Sequence, residues 1–146
     1  MNNTVIFTLL FFVFAAAIIY FGRKRDARLI ALGKYATTRA PSGPARVCEV
    51  RFPGYDYPTP CVAHSSDAGL YLYSSEEQMR KVYGTTGRPP FIKTPVCIPW
   101  TDMTYRSASL PLVGMMRFDL AADKAAFFIQ QDIAEQLLQD AGKSTQ

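Results

Sequence analysis

The stretch Cys61-Val62-Ala63-His64 sets a thiol and an imidazole three residues apart, and Asp67 follows three further on. His64 is the only histidine of the chain, so any imidazole chemistry must run through it. Two kinds of chemistry suit these types. A Cys–His pair makes a nucleophile when the imidazole takes the thiol proton and a third group orients the ring. The same donors also ligate zinc, but a structural zinc site shows two close ligand pairs, and here there is one, with Cys48 and Cys97 remote. No glycine loop of the oxyanion type stands beside the pair, and neither G-x-x-x-x-G-K-[ST] nor G-x-G-x-x-G occurs. Glu76-Glu77 reads as the charged first turn of a short helix, where negative charge is favoured. Cys61 is therefore expected at a strand end and His64 at the surface or as a cap. No catalytic residue, metal ligand or cofactor is assigned, and an enzyme using Cys61 and His64 stays as a remote alternative.

Trp100, the only tryptophan, follows Pro99 inside an extended segment, with Val96, Ile98 and Trp100 on one face by alternation. One reading makes it a ligand-stacking platform. The preferred one makes it a core plug beneath the last helix, against Phe127, Phe128 and Ile129, because burying so large a ring contributes several kcal/mol at about 25 cal/mol per Å².

The elements that would position these residues can be read from period and punctuation. Residues 46–52 (RVCEVRF) alternate as a strand, and residues 53–60 carry three prolines and a glycine, marking a turn or irregular edge. Residues 61–65 and 68–74 read as further strands, and Ser74 with Glu77, or Ser75 with Gln78, offers a capping box for a short helix to Tyr83. Residues 91–107 read as extended with proline interruptions, and 112–120 as another strand. From Ala122 to Leu138 the apolar positions 122, 126, 129, 133 and 137 make a helical stripe. Strands followed by such a helix describe an α+β domain. Its core is expected to contain Leu70, Leu72, Ile98, Trp100, Ile129 and Ile133.

Ahead of this domain lies an appendage. Residues 4–22 (TVIFTLLFFVFAAAIIYFG) carry no charge, and as a helix they would reach roughly 28 Å, near a bilayer's hydrocarbon thickness. Residues 1–3 lack the basic n-region of a cleaved signal, so a retained transmembrane helix is expected. Arg23, Lys24, Arg25 and Arg28 follow, which places the N-terminus outside and the domain on the cytoplasmic side of a bacterial inner membrane, with these four side chains at the membrane surface. Residues 23–51 hold eight Lys/Arg against two acidic residues, and residues 52–146 eight against ten. The basicity thus lies outside the folded domain, where nucleic-acid binding would need it, and no nucleic acid is expected as a partner. Three cysteines at irregular spacing are a poor disulfide framework and are expected as reduced, mostly buried thiols. The organisation read from this is an anchor over 1–22, a basic segment and linker over 23–45 with Gly33 ending the first helix, a domain over 46–141 and a tail over 142–146.

The domain resembles small bacterial membrane-anchored proteins with a pleckstrin-homology-like, or GRAM-like, domain. In those a D-x-G-L-x-L strand is followed by a G-h-P-P-L-L-I-P-W-s-D-I strand. Asp67, Gly69, Leu70 and Leu72 match the first; Gly87, Pro89, Pro90, Ile98, Pro99, Trp100 and Asp102 match the second. The likeness covers residues 45–140 and departs at Lys93–Cys97, which stand as an insertion. It implies a split β-barrel capped by the last helix and implies no catalysis. The function expected is a single-span membrane protein displaying a non-catalytic interaction domain. Its partners would be the lipid bilayer and a protein, with no small-molecule substrate. The alternative is an accessory structural subunit of a larger membrane complex, in which Ala15-Ala16-Ala17 would pack closely on neighbouring helices.

Overall fold

In the computed structural model, residues 3–53, 58–74, 76–84, 92, 94–122 and 125–144 are described, apart from the side chains of residues 3–4, 21–30, 76, 79, 82 and 83. Helix α1 (Asn3–Gly33) is followed by β1 (Arg46–Arg51), β2 (Thr59–Ser66), β3 (Gly69–Ser74), α2 (Glu76–Tyr83) and β4 (Val96–Pro99). A 3-10 turn, Trp100–Asp102, leads to β5 (Met103–Ser107), β6 (Met115–Leu120), β7 (Ala125–Gln130) and α3 (Gln131–Asp140). All strand pairs are antiparallel, in the order β4-β3-β2-β1-β7-β6-β5, and the sheet curls into a nearly closed barrel with α3 at its end.

Two meanders, β1–β4 and β5–β7, make this sheet, and β1 joins them. It pairs with β2 from Arg46 to Val50 and with β7 only through Val50↔Ile129 and Arg51↔Phe128. The Gln130 side chain lengthens the joint by accepting the Glu49 backbone N–H at 2.8 Å. Inside the barrel, Leu70, Leu72, Ile98 and Ile129 are fully buried, Trp100 retains 9% exposure, and Ile133 is half-buried against the same cluster. Phe118 and Phe127 stack within it, their ring centroids 5.1 Å apart. Arg46 fastens α3 across the barrel end, with Nε and Nη2 donating to Asp140 at 2.7 and 3.1 Å and Nη1 donating to Gln136 at 2.6 Å.

Three expectations need correction. The first concerns the membrane span. Among the described residues no helix is long and apolar enough to cross a membrane, so the transmembrane anchor, the single-pass arrangement and the orientation derived from it are not upheld. The second concerns the barrel, which is one continuous hydrogen-bonded sheet of seven strands rather than a split one carried on a membrane helix. The third concerns residues 122–138. Only 131–140 are helical; 125–130 form β7. Five consecutive residues of β7 are buried, because one side of the strand faces the core and the other is covered as well, which erases the alternation that marks a half-exposed strand.

The packed body also begins before Arg46. Ala31 and Leu32 of α1 join the core cluster, and Tyr35 packs on it. Ala36 then bridges Val96, with Thr37 N–H donating to the Pro95 carbonyl at 2.9 Å and Cys97 N–H donating to the Tyr35 carbonyl at 2.8 Å. The segment after α1 therefore covers the free edge of β4, which would otherwise present unpaired backbone groups.

Ile129→Ala is expected to cost roughly 2–5 kcal/mol, the range for truncating a fully buried Ile, because it opens a cavity at the one strand ladder between the two meanders among the described residues. Urea unfolding of the purified chain followed by circular dichroism measures it. A loss below 1 kcal/mol would mean that the β1–β7 joint is not what holds them together.

Candidate functional site

Strand parity decides the fate of the Cys61–His64 pair. Positions 61, 63 and 65 of β2 face the core, where Cys61 and Ala63 join the apolar cluster. Position 64 faces the other way. Side chains an odd number of residues apart on a strand lie on opposite sides of the sheet, so the thiol and the imidazole do not meet. Cys61 Sγ instead lies 3.9 Å from the Ser74 hydroxyl.

Cys61 is the direct cross-strand partner of Cys48, and both thiols are buried. Burial in an apolar surrounding penalises the thiolate and pushes Cys61 up to about 12 from the usual 9.0, against a small opposing effect of the Ser74 hydrogen bond. Cys48 is raised still further, first by burial and then by its neighbours Cys61 and Glu49. At neutral pH both are inert thiols, since the thiolate is the nucleophile.

His64 sits on the outer face of the sheet, yet it is only 8% exposed. Its Nδ1–H donates to the Gly43 carbonyl at 3.1 Å, and Nε2 has no hydrogen-bond partner among the described residues. Tyr71, its pairing partner on β3, meets the imidazole edge-on, and Tyr73 stacks beside it with ring centroids 6.2 Å apart. Gly43 has φ of +88°, and a Cβ there would run into the Ser65 carbonyl, so glycine is required for the linker to lie against β2. The imidazole is thus a clasp between the linker and the barrel wall. It is neither exposed nor a cap, and Asp67 at the following turn is not among its contacts. Among the described residues no three His, Cys, Asp or Glu side chains gather to hold a metal ion.

Trp100 occupies the seam of the barrel. β4 and β5 are the two outermost strands of the sheet, and the 3-10 turn that begins at Trp100 joins them directly. Its indole N–H donates to the Ser66 carbonyl at 2.7 Å, and its ring meets Tyr105 edge-on with centroids 6.2 Å apart. Tyr105 in turn reaches the Ser144 carbonyl, just past α3. The plug is held by β2, β5 and the chain beyond α3; Phe127, Phe128 and Ile129 lie on β7 rather than on a covering helix.

Of the expected membrane-surface residues, Arg23, Lys24, Arg25 and Arg28 belong to α1, and their side chains lie outside the described residues, as do Gly87, Pro89 and Pro90 of the matched motif. Two features carried no signal in a linear reading. One is the paired arginines Arg106 and Arg117, eleven residues apart in sequence and directly opposite each other across β5 and β6. The other is the exposed apolar tip between those strands, with Leu110 at 84% and Val113 at 69% exposure.

Trp100→Ala is expected to lose about 3–5 kcal/mol, as for any large buried aromatic reduced to alanine, and Trp100→Phe less. The folded chain should show blue-shifted tryptophan emission poorly quenched by acrylamide; an unchanged melting temperature in Trp100→Ala would make the ring a recognition surface instead. The cysteines set a pH limit. Their folded pKa values lie above the unfolded value, so their contribution to stability is present below pH 9 and lost as pH rises toward 12. A double Cys48→Ala, Cys61→Ala variant should flatten that alkaline loss in pH-dependent unfolding, and an unchanged slope would place its origin elsewhere.

No family model, no curated protein and no solved structure matches this chain, so its function has to be argued from the residues and geometry just described.

Proposed function

We propose that the protein is a non-catalytic interaction module that seats helix α1 in a lipid surface and holds its barrel beside it. The observation that carries this is the perimeter of α1. Leu9, Leu10, Phe11, Phe12, Val13 and Phe14 are consecutive, and all are more than half exposed. At 100° per residue six consecutive positions reach every side of a helix, so this stretch of α1 has no polar face. A two-stranded pairing with a second copy covers one seam and leaves the rest in water. Lipid tails cover the whole perimeter. Seating of this kind requires burial of an apolar helix surface among lipid tails and no crossing of the bilayer. The basic residues at 23, 24, 25 and 28 come next in sequence, where each gains about 1 kcal/mol near an anionic leaflet.

The Cys61–His64 pair, the chemistry weighed for the barrel, does not form there. Cys61 and His64 are turned apart, both core thiols are held protonated, and the resemblance of residues 45–140 to pleckstrin-homology-like domains implies no catalysis.

Flotation of the purified full chain with vesicles tests the proposal. The chain should float with neutral phosphatidylcholine vesicles, and more strongly when phosphatidylserine is included. Leu10→Glu combined with Phe14→Glu, two exposed positions outside the barrel core, should leave it at the bottom with its melting temperature unchanged. A chain that stays at the bottom with both vesicle types, whether alone or bound in stoichiometric complex with another protein, overturns the proposal in favour of the accessory-subunit reading.

A further inference from the structure

We infer that the β5–β6 loop closes a binding site for a phosphate monoester, gripped by Arg106 and Arg117. The site is a cavity of about 340 Å³, lined by Arg106, Ser107, Ser109, Leu110, Arg117 and Phe128 among others. It lies in the barrel wall and does not depend on the lipid-seating role of α1.

The arginines come first. Arg106 and Arg117 are direct cross-strand partners, and like charges in that position destabilise a sheet. Asp119 is the acid that the structure places against them. Its Oδ1 accepts from Arg117 Nε at 2.8 Å and pairs with Nη2 at 2.7 Å, while Oδ2 lies 3.9 Å from Arg106 Nε. One carboxylate thus faces two guanidinium groups, and a net positive charge remains at the cavity. The two differ in how they are held. Arg117 is fixed between Asp119 and the Phe128 ring, whose centroid is 5.8 Å from the guanidinium carbon. The Arg106 side chain is 69% exposed and loosely paired. A preset guanidinium beside an adjustable one suits a tetrahedral oxyanion, because guanidinium offers parallel N–H donors matched to phosphate oxygens.

The loop supplies the rest. Its course is set by Leu112 N–H to the Ser109 carbonyl at 3.0 Å, Met115 N–H to the Leu112 carbonyl at 3.1 Å and Ala108 N–H to the Met115 carbonyl at 2.8 Å. It is tied to the start of α3 by Gln131 N–H donating to the Gly114 carbonyl at 2.9 Å. Ser107 and Ser109 are among the residues that line the cavity. The cavity volume falls at the lower end of the roughly 300–1,000 Å³ of small-molecule sites, which leaves room for an organic body attached to the phosphate. The exposed Leu110 at the rim offers that body an apolar surface. The phosphate could be carried by a soluble ester or by a lipid headgroup, and the chemistry of the grip is the same.

Calorimetric titration of the full chain with inorganic phosphate and with phenyl phosphate reads the site directly. Phenyl phosphate should bind, and more tightly than inorganic phosphate. Arg106→Gln should weaken it at least tenfold without lowering the melting temperature, and Arg106→Lys should weaken it less. Arg117→Gln serves as the second variant. Absence of binding by either probe, or equal affinity in the wild type and both Gln variants, overturns the site. Flotation with vesicles holding equal fractions of phosphatidic acid or phosphatidylserine distinguishes the sources: recovery higher with phosphatidic acid than with phosphatidylserine in wild type but not in Arg106→Gln identifies a lipid phosphate, and the same recovery with both lipids in wild type identifies a soluble ester. Flotation on plain phosphatidylcholine reports α1 alone, so failure there and failure of the titration are separate results.

Discussion

Two backbone pairs, Val50 with Ile129 and Arg51 with Phe128, hold the barrel together. Every other strand pairing is between neighbours in sequence and closes only the loop that joins them, the β3–β4 loop carrying α2. The β1–β7 joint closes a long one: Glu49 and the Gln130 side chain that extends it stand 81 positions apart. Its entropic cost must be offset by what it buries, and Val50 and Ile129 are both completely removed from solvent. Once β7 lies on β1, α3 follows without further choice, because it begins at the next residue. Arg46, at the other end of β1, is then in place to grip Asp140 and Gln136. One strand therefore sets both the closure of the sheet and the seat of its covering helix.

The two free edges of the sheet are handled differently. β4 is covered by Tyr35–Thr37, so the chain leaving α1 serves as edge protection as well as connection. The clasp of His64 on Gly43 holds that same segment further along. Between β4 and β5, Trp100 fills the corner with an indole whose single polar atom is satisfied by Ser66. A buried indole without such an acceptor would cost free energy instead of contributing it. Gly69 belongs to this arrangement, because a Cβ there would strike the Ile98 carbonyl just before the turn.

Two surfaces remain that folding alone does not explain. The perimeter of α1 leaves large apolar side chains in water, and the Arg106–Arg117 pair sets like charges together on a strand face. Both arrangements cost stability in the isolated chain. They are unlike in chemistry and lie on different elements, which is why a lipid surface and a phosphate group are assigned to them separately.

What the sequence determined by itself is where short-range rules suffice. Alternation in residues 46–52, the strand at 68–74 and the stop at Gly33 all appear as β1, β3 and the end of α1, because each depends on residues in immediate contact along the chain, whereas the turn at Trp100–Asp102 stands where an extended segment was read. The apolarity of residues 4–22 was equally legible, but a run of apolar residues does not state how far a helix of that character extends or what covers it. Residues 125–130 show the opposite limit. Ala125, Ala126, Phe127, Phe128 and Ile129 satisfy a helical stripe and a doubly buried strand alike, and pairing to β1 and β6 selected the strand. The opposed faces of Cys61 and His64 followed from the strand once its span was known. The meeting of Arg106 with Arg117 followed only from register, since which residue stands opposite which across a hairpin is set by the loop and by the core that both strands share.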